Sequence, residues 1–356
     1  MIVQRFEEPA EAAGAQARCL PGLPEAIDAV AAAAPATHHF LRRQWYAAAV
    51  AAYGGAARTI VATEGAAVPS VALPLVAAGP RRARLAMVPG CYWPFRAPVM
   101  AQAASDAAID ALLVVAAREV RALRIGPVAD DDAVMVRLLA RARAGGWATI
   151  SRIVGTGYRL DMVAARAAGT WPRSSTLKKN RFHEKHLAAH GALDWRFVTG
   201  AGWPEAFDAM AQVEKTSWLA DRTDGRDTKF TAYGHGAFFR AAAQDPVLAR
   251  MFHAAILTID GVPSAFSFDL DVGTLKHAIA NSYAPAVAKH SPGKLLYYRN
   301  LVQALERGVE RVDWGMGDSG YKRVIGAREG AMLRDWVLVR PGLVARCLRA
   351  VRRRGD

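Results

Sequence analysis

Residues 251–327 read MFHAAILTIDGVPSAFSFDLDVGTLKHAIANSYAPAVAKHSPGKLLYYRNLVQALERGVERVDWGMGDSGYKRVIGA. The first third of this segment alternates apolar runs with tight-turn residues, Asp260-Gly261 and then 271–273, a pattern typical of consecutive antiparallel strands. A helix is predicted to follow over 292–307. The strands themselves are predicted at 249–259, 263–270 and 274–282.

Two further strands are predicted after this helix, at 309–314 and 332–339, and the second is expected to close the sheet. The first half of the chain predicts helices and strands in a similar order without sequence identity to the second half, so any repeat is structural only. The sequence therefore predicts an α/β fold with mixed α+β sheets and two halves. The predicted units are residues 1–165, residues 166–340 and a basic tail at 341–356. In the first half, the predicted elements are helices at 37–54, 105–121 and 132–144 and strands at 59–61, 68–76, 123–128 and 147–154.

The composition is that of a basic globular chain. Of its 356 residues, 52% are hydrophobic and 22% are charged, which allows a sizeable core. Lys and Arg number 46 against 32 Asp and Glu, which gives a net charge of +14. This balance favours an anionic partner, such as a nucleotide cofactor, tRNA or an anionic membrane face. A generally basic solvated surface is the alternative interpretation, and both stay open.

The sequence also argues against several classes of protein. Residues 1–20 contain no apolar segment of the kind found in signal peptides, and no run of about 18 apolar residues is present. Cys19, Cys91 and Cys347 lie far apart, which predicts a reducing cytoplasm and neither a zinc site nor a disulfide framework. No metal is predicted, because the scattered histidines lack ligand spacing. Hydrolase, NTPase and dehydrogenase motifs are likewise missing.

The segment 290–296, HSPGKLL, is a candidate anion-binding site. Ser291 is a suitable N-cap, and the proline after it fits the first helical position. Gly293 leaves its backbone open to a ligand. The N–H groups of Gly293, Lys294 and Leu295 are expected at the positive helix end, where Lys294 adds a full charge. The alternative interpretation is a well-capped helix start without a ligand.

A second candidate segment is 313–322, DWGMGDSGYK, where three glycines follow the end of a predicted strand. Ligands often approach such flexible backbone. Asp318 and Lys322 are four residues apart and can pair if the turn is helical. A glycine-rich turn held by a surface ion pair is the alternative.

A third segment, 178–186, reads KKNRFHEKH and predicts a basic helix face. It is interpreted either as a solvated face or as a positive wall above a cleft that receives phosphates. We assign Lys178, Lys179, Trp218 and Asn281 to substrate binding.

Most of the chain resembles the CelD/BcsL-type (BioF2-like) acetyltransferase family, a relative of the FemAB transferases within the GNAT superfamily. The resemblance covers FLRRQWYAAAVAAYGG at 40–55, RSSTLKKNRFHEKHLAAHGALDWRFV at 173–198 and the whole of 251–327. Its most specific parts are S-P-G-x-L-L before the helix and D-x-x-x-G-D-x-x-Y-K-x-x-x-G-A after it.

The resemblance implies tandem GNAT-like folds and transfer of an acyl or aminoacyl group to an amine or hydroxyl, with acyl-CoA as the donor. In ordinary GNAT enzymes the loop before the corresponding helix reads Gln/Arg-x-x-Gly-x-Gly/Ala and binds the CoA pyrophosphate. This chain departs from that pattern with AKHSPG at 288–293. The FemAB relatives use aminoacyl-tRNA instead.

The resemblance also implies a set of catalytic residues, because FemAB-like enzymes have a lysine considered important for catalysis at the position of Lys322. We expect Lys322 to stabilise charge on the carbonyl oxygen and Asp318 to orient it. Asp313 is the candidate general base, with His277 the alternative because histidine titrates near neutrality. A structural role for either residue stays open. Tyr321 is expected to donate a proton to the leaving thiolate.

Two rival functions stay open at this point. One is aminoacyl-tRNA-dependent transfer of the FemAB type, in which the basic surface binds tRNA phosphates. The other is a non-catalytic scaffold role in envelope polysaccharide production. The acceptor also stays open between an amino sugar, an amino-acid derivative and a long-chain amine.

The tail predicts a short amphipathic helix. It is interpreted either as a helix packed on the second domain or as a basic helix lying on an anionic membrane surface, at the inner face of the membrane. The apolar stripe consists of Leu343, Val344, Cys347, Leu348 and Val351.

From the sequence we expect Lys322→Ala to lower turnover by a factor on the order of 10²–10³, because one stabilising charge is lost. We also expect it to leave the protein folded, because the residue lies in a glycine-rich loop. Turnover and urea unfolding of the variant measure these two effects separately, and near-normal turnover would remove Lys322 from the mechanism.

Overall fold

The structure, a computed structural model, describes residues 14–65, 67–91, 96–217, 227–232, 235–317 and 320–352. The strands of this part of the chain are β1 Gln16–Pro21, β2 Arg58–Glu64, β3 Val68–Ala77, β4 Leu85–Met87, β5 Val99–Met100, β6 Ala122–Ala129, β7 Ala148–Asp161, β8 Leu193–Val198, β9 Phe252–Ile259, β10 Val262–Val272, β11 Leu275–Tyr283, β12 Arg311–Met316 and β13 Arg328–Val339. The helices are α1 Ala26–Ala32, α2 Arg43–Tyr53, α3 Asp106–Glu119, α4 Ala133–Ala144, α5 Met162–Ala167, α6 Ser174–Leu187, α7 Trp203–Lys215, α8 Gly236–Ala242, α9 Pro246–Met251, α10 Pro292–Glu306, α11 Tyr321–Ile325 and α12 Leu343–Arg352.

All these strands belong to one mixed sheet, which confirms the predicted α/β class. The order is β1-β2-β3-β4-β6-β13-β7-β12-β11-β10-β9-β8, and β5 pairs with β3. The β4–β6 and β11–β12 pairs are parallel, and the other pairs are antiparallel. The predicted meander is present as β9, β10 and β11, although its first strand begins at Phe252 rather than at residue 249. The difference arises because Asp245 caps α9, which extends to Met251.

The last strand lies inside the sheet and not at its edge, which corrects the expectation that residues 332–339 close it. β13 lies between β6 and β7 and pairs antiparallel with both. β7 pairs with β13 from Ala148 onward and with β12 at its carboxyl end, near Asp161. The predicted division at residue 165 stays a prediction. A strand of the predicted second unit nevertheless completes the sheet of the first.

The helices cover the sheet with apolar faces, and a separate apolar cluster supports the region of α10 and α11. This second cluster is distinct from the main core and brings together residues of β7, α10 and β12. Tyr297 of α10 and Trp314 of β12 are buried there with ring centroids 5.6 Å apart. The cluster therefore fixes α10 against the strand that precedes the glycine-rich loop.

Charged side chains are buried under α10, where the sequence shows an apolar strand. The Lys276 side chain is fully buried, and its Nζ lies 3.4 Å from Asp269 Oδ2 and 2.6 Å from Asp271 Oδ1. Asn300 donates from Nδ2 to Asp269 and to the Ser267 hydroxyl. Burial raises the pKa of Asp269 to about 6, although Lys276 opposes this shift. Removing one partner from such a buried pair is strongly destabilising.

We expect Lys276→Met to lower the free energy of unfolding by about 3 kcal/mol, because Asp269 loses its nearest cation. The loss should be smaller at pH 5 than at pH 8, since a protonated Asp269 carries no charge to compensate. Urea unfolding at both pH values measures this. Lys215→Met, at an exposed position, is the control and should change stability by less than about 0.5 kcal/mol. An equal effect of both substitutions would show that the buried ion pair does not stabilise the fold.

Candidate functional site

A cavity of about 830 Å³ opens where β11 and β12 separate. The two parallel strands pair only over three positions, Leu275–His277 with Arg311–Asp313. Beyond these positions the edge of β11 lies along the cavity and not along β12. The amino end of α10 and the start of α11 complete the wall. The lining includes Lys229, Ala278, Asn281, Tyr283, Ala288, Ser291, Gly293, Lys294, Tyr297, Trp314, Met316, Gly320, Tyr321 and Lys322.

A bulge in β11 decides which side chains reach this cavity. Asp269 of β10 pairs with Ala278 of β11, and Phe268 pairs with Ala280. Ile279 between them is therefore an extra residue of β11 relative to the register with β10. An inserted residue shifts the side-chain alternation of a strand by one. Asn281 therefore lines the cavity, whereas His277 lines a second cavity.

Six of the predicted site residues line this one cavity, although they lie in three separate segments of the sequence. The catalytic or binding roles assigned to them stay predictions. They are Asn281, Ser291, Gly293, Lys294, Tyr321 and Lys322.

The predicted anion site at the start of α10 is smaller than expected. The helix begins at Pro292 as predicted, but Ser291 has a left-handed backbone (φ 51°) and its side chain makes no capping hydrogen bond. The N–H groups of Lys294 and Leu295 donate to the Ser291 carbonyl oxygen, at 3.0 and 3.2 Å. Of the three predicted N–H donors, two are thus used within the helix. The Leu295 side chain is buried in the core.

Gly293 is required for packing as well as for any ligand approach. A Cβ on this residue would lie 2.6 Å from Asn281 Oδ1 and 3.0 Å from Tyr283 Cδ1. Asn281 Nδ2 in turn donates to the Gly293 carbonyl oxygen at 3.2 Å. Replacing Gly293 with valine would therefore displace the side chains of Asn281 and Tyr283.

Lys322 is more buried than its glycine-rich context indicates. The residue is only 5% exposed, and its Nζ donates to the carbonyl oxygens of Trp314 and Met316, both at 2.9 Å. It also lies 5.5 Å from the Tyr158 ring centroid. The ammonium group thus holds the end of β12 in place beside the cavity. These contacts indicate that removing the side chain lowers stability, and the expectation that Lys322→Ala leaves the protein folded stays a prediction.

Both predicted general bases lie away from this cavity. Asp313 and His277 line a second cavity of about 350 Å³. Asp313 accepts from Arg159 Nε at 3.0 Å and from the Gly315 N–H at 2.6 Å. Burial lowers the pKa of His277 to about 4, so it is neutral at pH 7. Neither residue lines the cavity between β11 and β12, and their catalytic roles stay predictions.

Two predicted site residues, Asp318 and Trp218, lie outside the described residues. Lys178 and Lys179 are exposed on α6. Lys179 lies close enough to contribute to the lowered pKa of His183, whose causes are burial first, then Lys294, His186 and Lys179. Lys178 is not among the residues that line the cavity.

Histidines converge beside the amino end of α10, and this cluster was not predicted from the sequence. The ring of His290 lies 6.0 Å from that of His186 and 5.0 Å from that of His190, centroid to centroid. Burial and neighbouring cations also lower the pKa of His290. The sequence signal was the basic run on α6, but its position next to α10 depends on tertiary packing.

A second missed feature is an acid–base pair behind the cavity wall. Tyr297 lines the cavity, and its hydroxyl donates to Asp269 Oδ1 at 3.4 Å. The pKa of this carboxyl is raised to about 6. An acidic residue within the apolar run of β10 was the available signal.

Residues 174–323 match the family described as Acetyltransferase (GNAT) domain. A search of curated proteins finds no match.

Several solved structures share the fold at low sequence identity. The crystal structure of FemX is 11% identical with a TM-score of 0.59, and covers 87% of this chain and 94% of its own. A conserved protein of unknown function from Bacteroides thetaiotaomicron is 12% identical with a TM-score of 0.58, covering 90% and 99%. L-PGS from Bacillus licheniformis is 12% identical with a TM-score of 0.54, covering 93% and 95%. The predicted GNAT-like fold class is thus confirmed.

The Lys322 ammonium donates hydrogen bonds to two carbonyl oxygens. We therefore expect Lys322→Ala to lower the free energy of unfolding by about 2 kcal/mol. Lys294→Ala is the matched control, since Lys294 also lines the cavity but is exposed, and it should change stability by less than about 0.5 kcal/mol. Urea unfolding of both variants compares them. Equal stabilities would mean that these hydrogen bonds do not stabilise the β12 end.

Proposed function

We propose that this chain is an acyltransferase that moves an acyl group from acyl-CoA to an amine or hydroxyl acceptor. The observation that carries the proposal is the cavity between the separating strands β11 and β12, with the amino end of α10 beside it. The match of residues 174–323 to a GNAT acetyltransferase domain supports the same chemistry. The finer resemblance to the CelD/BcsL-type family and a cytoplasmic location remain part of the proposal.

The edge of β11 along the cavity suits a donor with an extended arm. The exposed edge of β11 offers backbone groups to the amides of a pantetheine arm, in the way that an added strand pairs with a sheet edge. The cavity volume of about 830 Å³ is in the range of ordinary cofactor sites. Lys294, which lines the cavity, and Lys179 next to the histidines place positive charge where the donor's phosphates would lie.

The polar groups of the cavity suggest how protons move during transfer. Tyr321 lines the cavity and is the proposed donor of a proton to the leaving thiolate. The proposed acceptor of the nucleophile's proton is the pair of Tyr297 and Asp269. The Tyr297 oxygen takes the proton as its own hydroxyl proton passes to Asp269, whose pKa near 6 suits a general base.

A second candidate function is transfer from aminoacyl-tRNA. It is favoured by the exposed basic residues of α6, which could bind a phosphate backbone. The structural similarity to FemX and L-PGS supports the fold and does not identify a donor. A non-catalytic scaffold is the third candidate, and binding of neither donor would favour it.

The donor is tested by calorimetric titration with acetyl-CoA and, separately, with an aminoacylated tRNA. We expect acetyl-CoA to bind, and to bind more tightly as the pH falls from 8 to 6. The pKa values of His183 and His290 are lowered in the free protein. Bound phosphates favour the protonated rings, so lower pH should assist binding.

The matched variants for this titration are Lys294→Ala and Lys215→Ala. The first should weaken acetyl-CoA binding by about tenfold through loss of a charged contact, and the second, on an exposed helix end, should not change it. Binding of tRNA alone would replace the donor in this proposal with aminoacyl-tRNA.

The proposed base is tested with Tyr297→Phe, which removes only the hydroxyl group. We expect turnover to fall by about 10²-fold while the affinity for acetyl-CoA is unchanged, because the ring still lines the cavity. The acidic limb of the pH profile, assigned to Asp269, should also disappear. An unchanged profile would assign the base to another group.

A further inference from the structure

The helix α12 exposes four of the five residues of its apolar stripe, and the fifth, Leu348, is half-buried. Leu343, Val344 and Val351 are 79%, 65% and 72% exposed, and Cys347 is exposed as well. This corrects the expectation that the stripe packs on the second domain. α12 packs against β7, a strand of the first half. Ala345 of this helix is buried.

Such a cluster differs from the single apolar residues found on any protein surface. Four exposed apolar side chains on one short helix form a contiguous patch, which marks an interaction site. Residues 340–354 contain arginines and no acidic residue. Arg346 and Arg349 are exposed on α12, and Arg346 borders the stripe on a helical projection.

We propose that α12 docks this protein on an anionic membrane surface. The apolar stripe enters the boundary between headgroups and acyl chains, while Arg346 and its neighbours contact lipid phosphates. Charge complementarity favours this partner over a second copy of the chain, because two such arginine-bearing helices would repel each other. None of the described helices is long and apolar enough to cross a membrane. Basic amphipathic helices of this kind typically lie in the plane of the membrane interface.

The test is co-sedimentation of the full chain with neutral phosphatidylcholine vesicles and with vesicles that also contain phosphatidylglycerol. We expect binding to the anionic vesicles only, and weaker binding at high salt. Val344→Asp should lower the partition coefficient by at least about tenfold, since it places a charge in the stripe. Arg346→Ser should lower it about fivefold on anionic vesicles.

Val262→Asp is the matched control, because Val262 is a similarly exposed valine (55%) at the start of β10. It should bind vesicles like the unaltered chain. Equal binding of the Val262 and Val344 variants, or no preference for anionic vesicles, would overturn the proposal. A dimer in solution that Val344→Asp abolishes would assign the stripe to a second copy and also overturn it. Donor binding is measured on the same samples, so failure of docking and failure of the proposed activity remain distinguishable.

Discussion

The pairing of β7 with both β13 and β12 is the constraint on which the rest of the structure depends. The 14 residues of β7 pair with β13 along most of their length and with β12 near Asp161. This one strand thereby fixes the position of β12 relative to the first half of the sheet. Because β12 is held on that side, it can separate from β11 on the other side without leaving the sheet. The cavity exists because of this unequal pairing.

Local irregularities then decide which chemistry the cavity contains. The inserted residue Ile279 directs Asn281 to one cavity and His277 to another. The Lys322 ammonium donates to two carbonyl oxygens at the end of β12 and so connects the start of α11 to that strand beside the cavity. Behind that wall, the buried Asp269 connects the Tyr297 hydroxyl to the Lys276 ammonium. The site is therefore formed by departures from regular strand geometry, stabilised by buried charges.

The sequence predicted those features that depend on neighbouring residues. The strands of the meander follow from turn residues, and the start of α10 follows from the proline at its first position. Asn281, Gly293 and Lys322 were singled out within residues 251–327, and all three line the cavity. Features that depend on distant pairing were not predictable. The place of β13 between β6 and β7 has no local signal, and a one-residue bulge leaves no mark in an apolar strand. The position of His277 in the second cavity depends on this bulge, and the catalytic roles predicted for His277 and Asp313 stay predictions.

The position of β13 also affects how the chain folds during synthesis. β7 ends at Asp161, but its partner begins only at Arg328, so about 170 residues are made while the inner edges of β6 and β7 stay open. Closing so long a loop is entropically costly, and such distant contacts slow folding. Open strand edges also promote association between nascent chains. The pairings of β6 and β7 with β13 can therefore form only after the last strand has been synthesised.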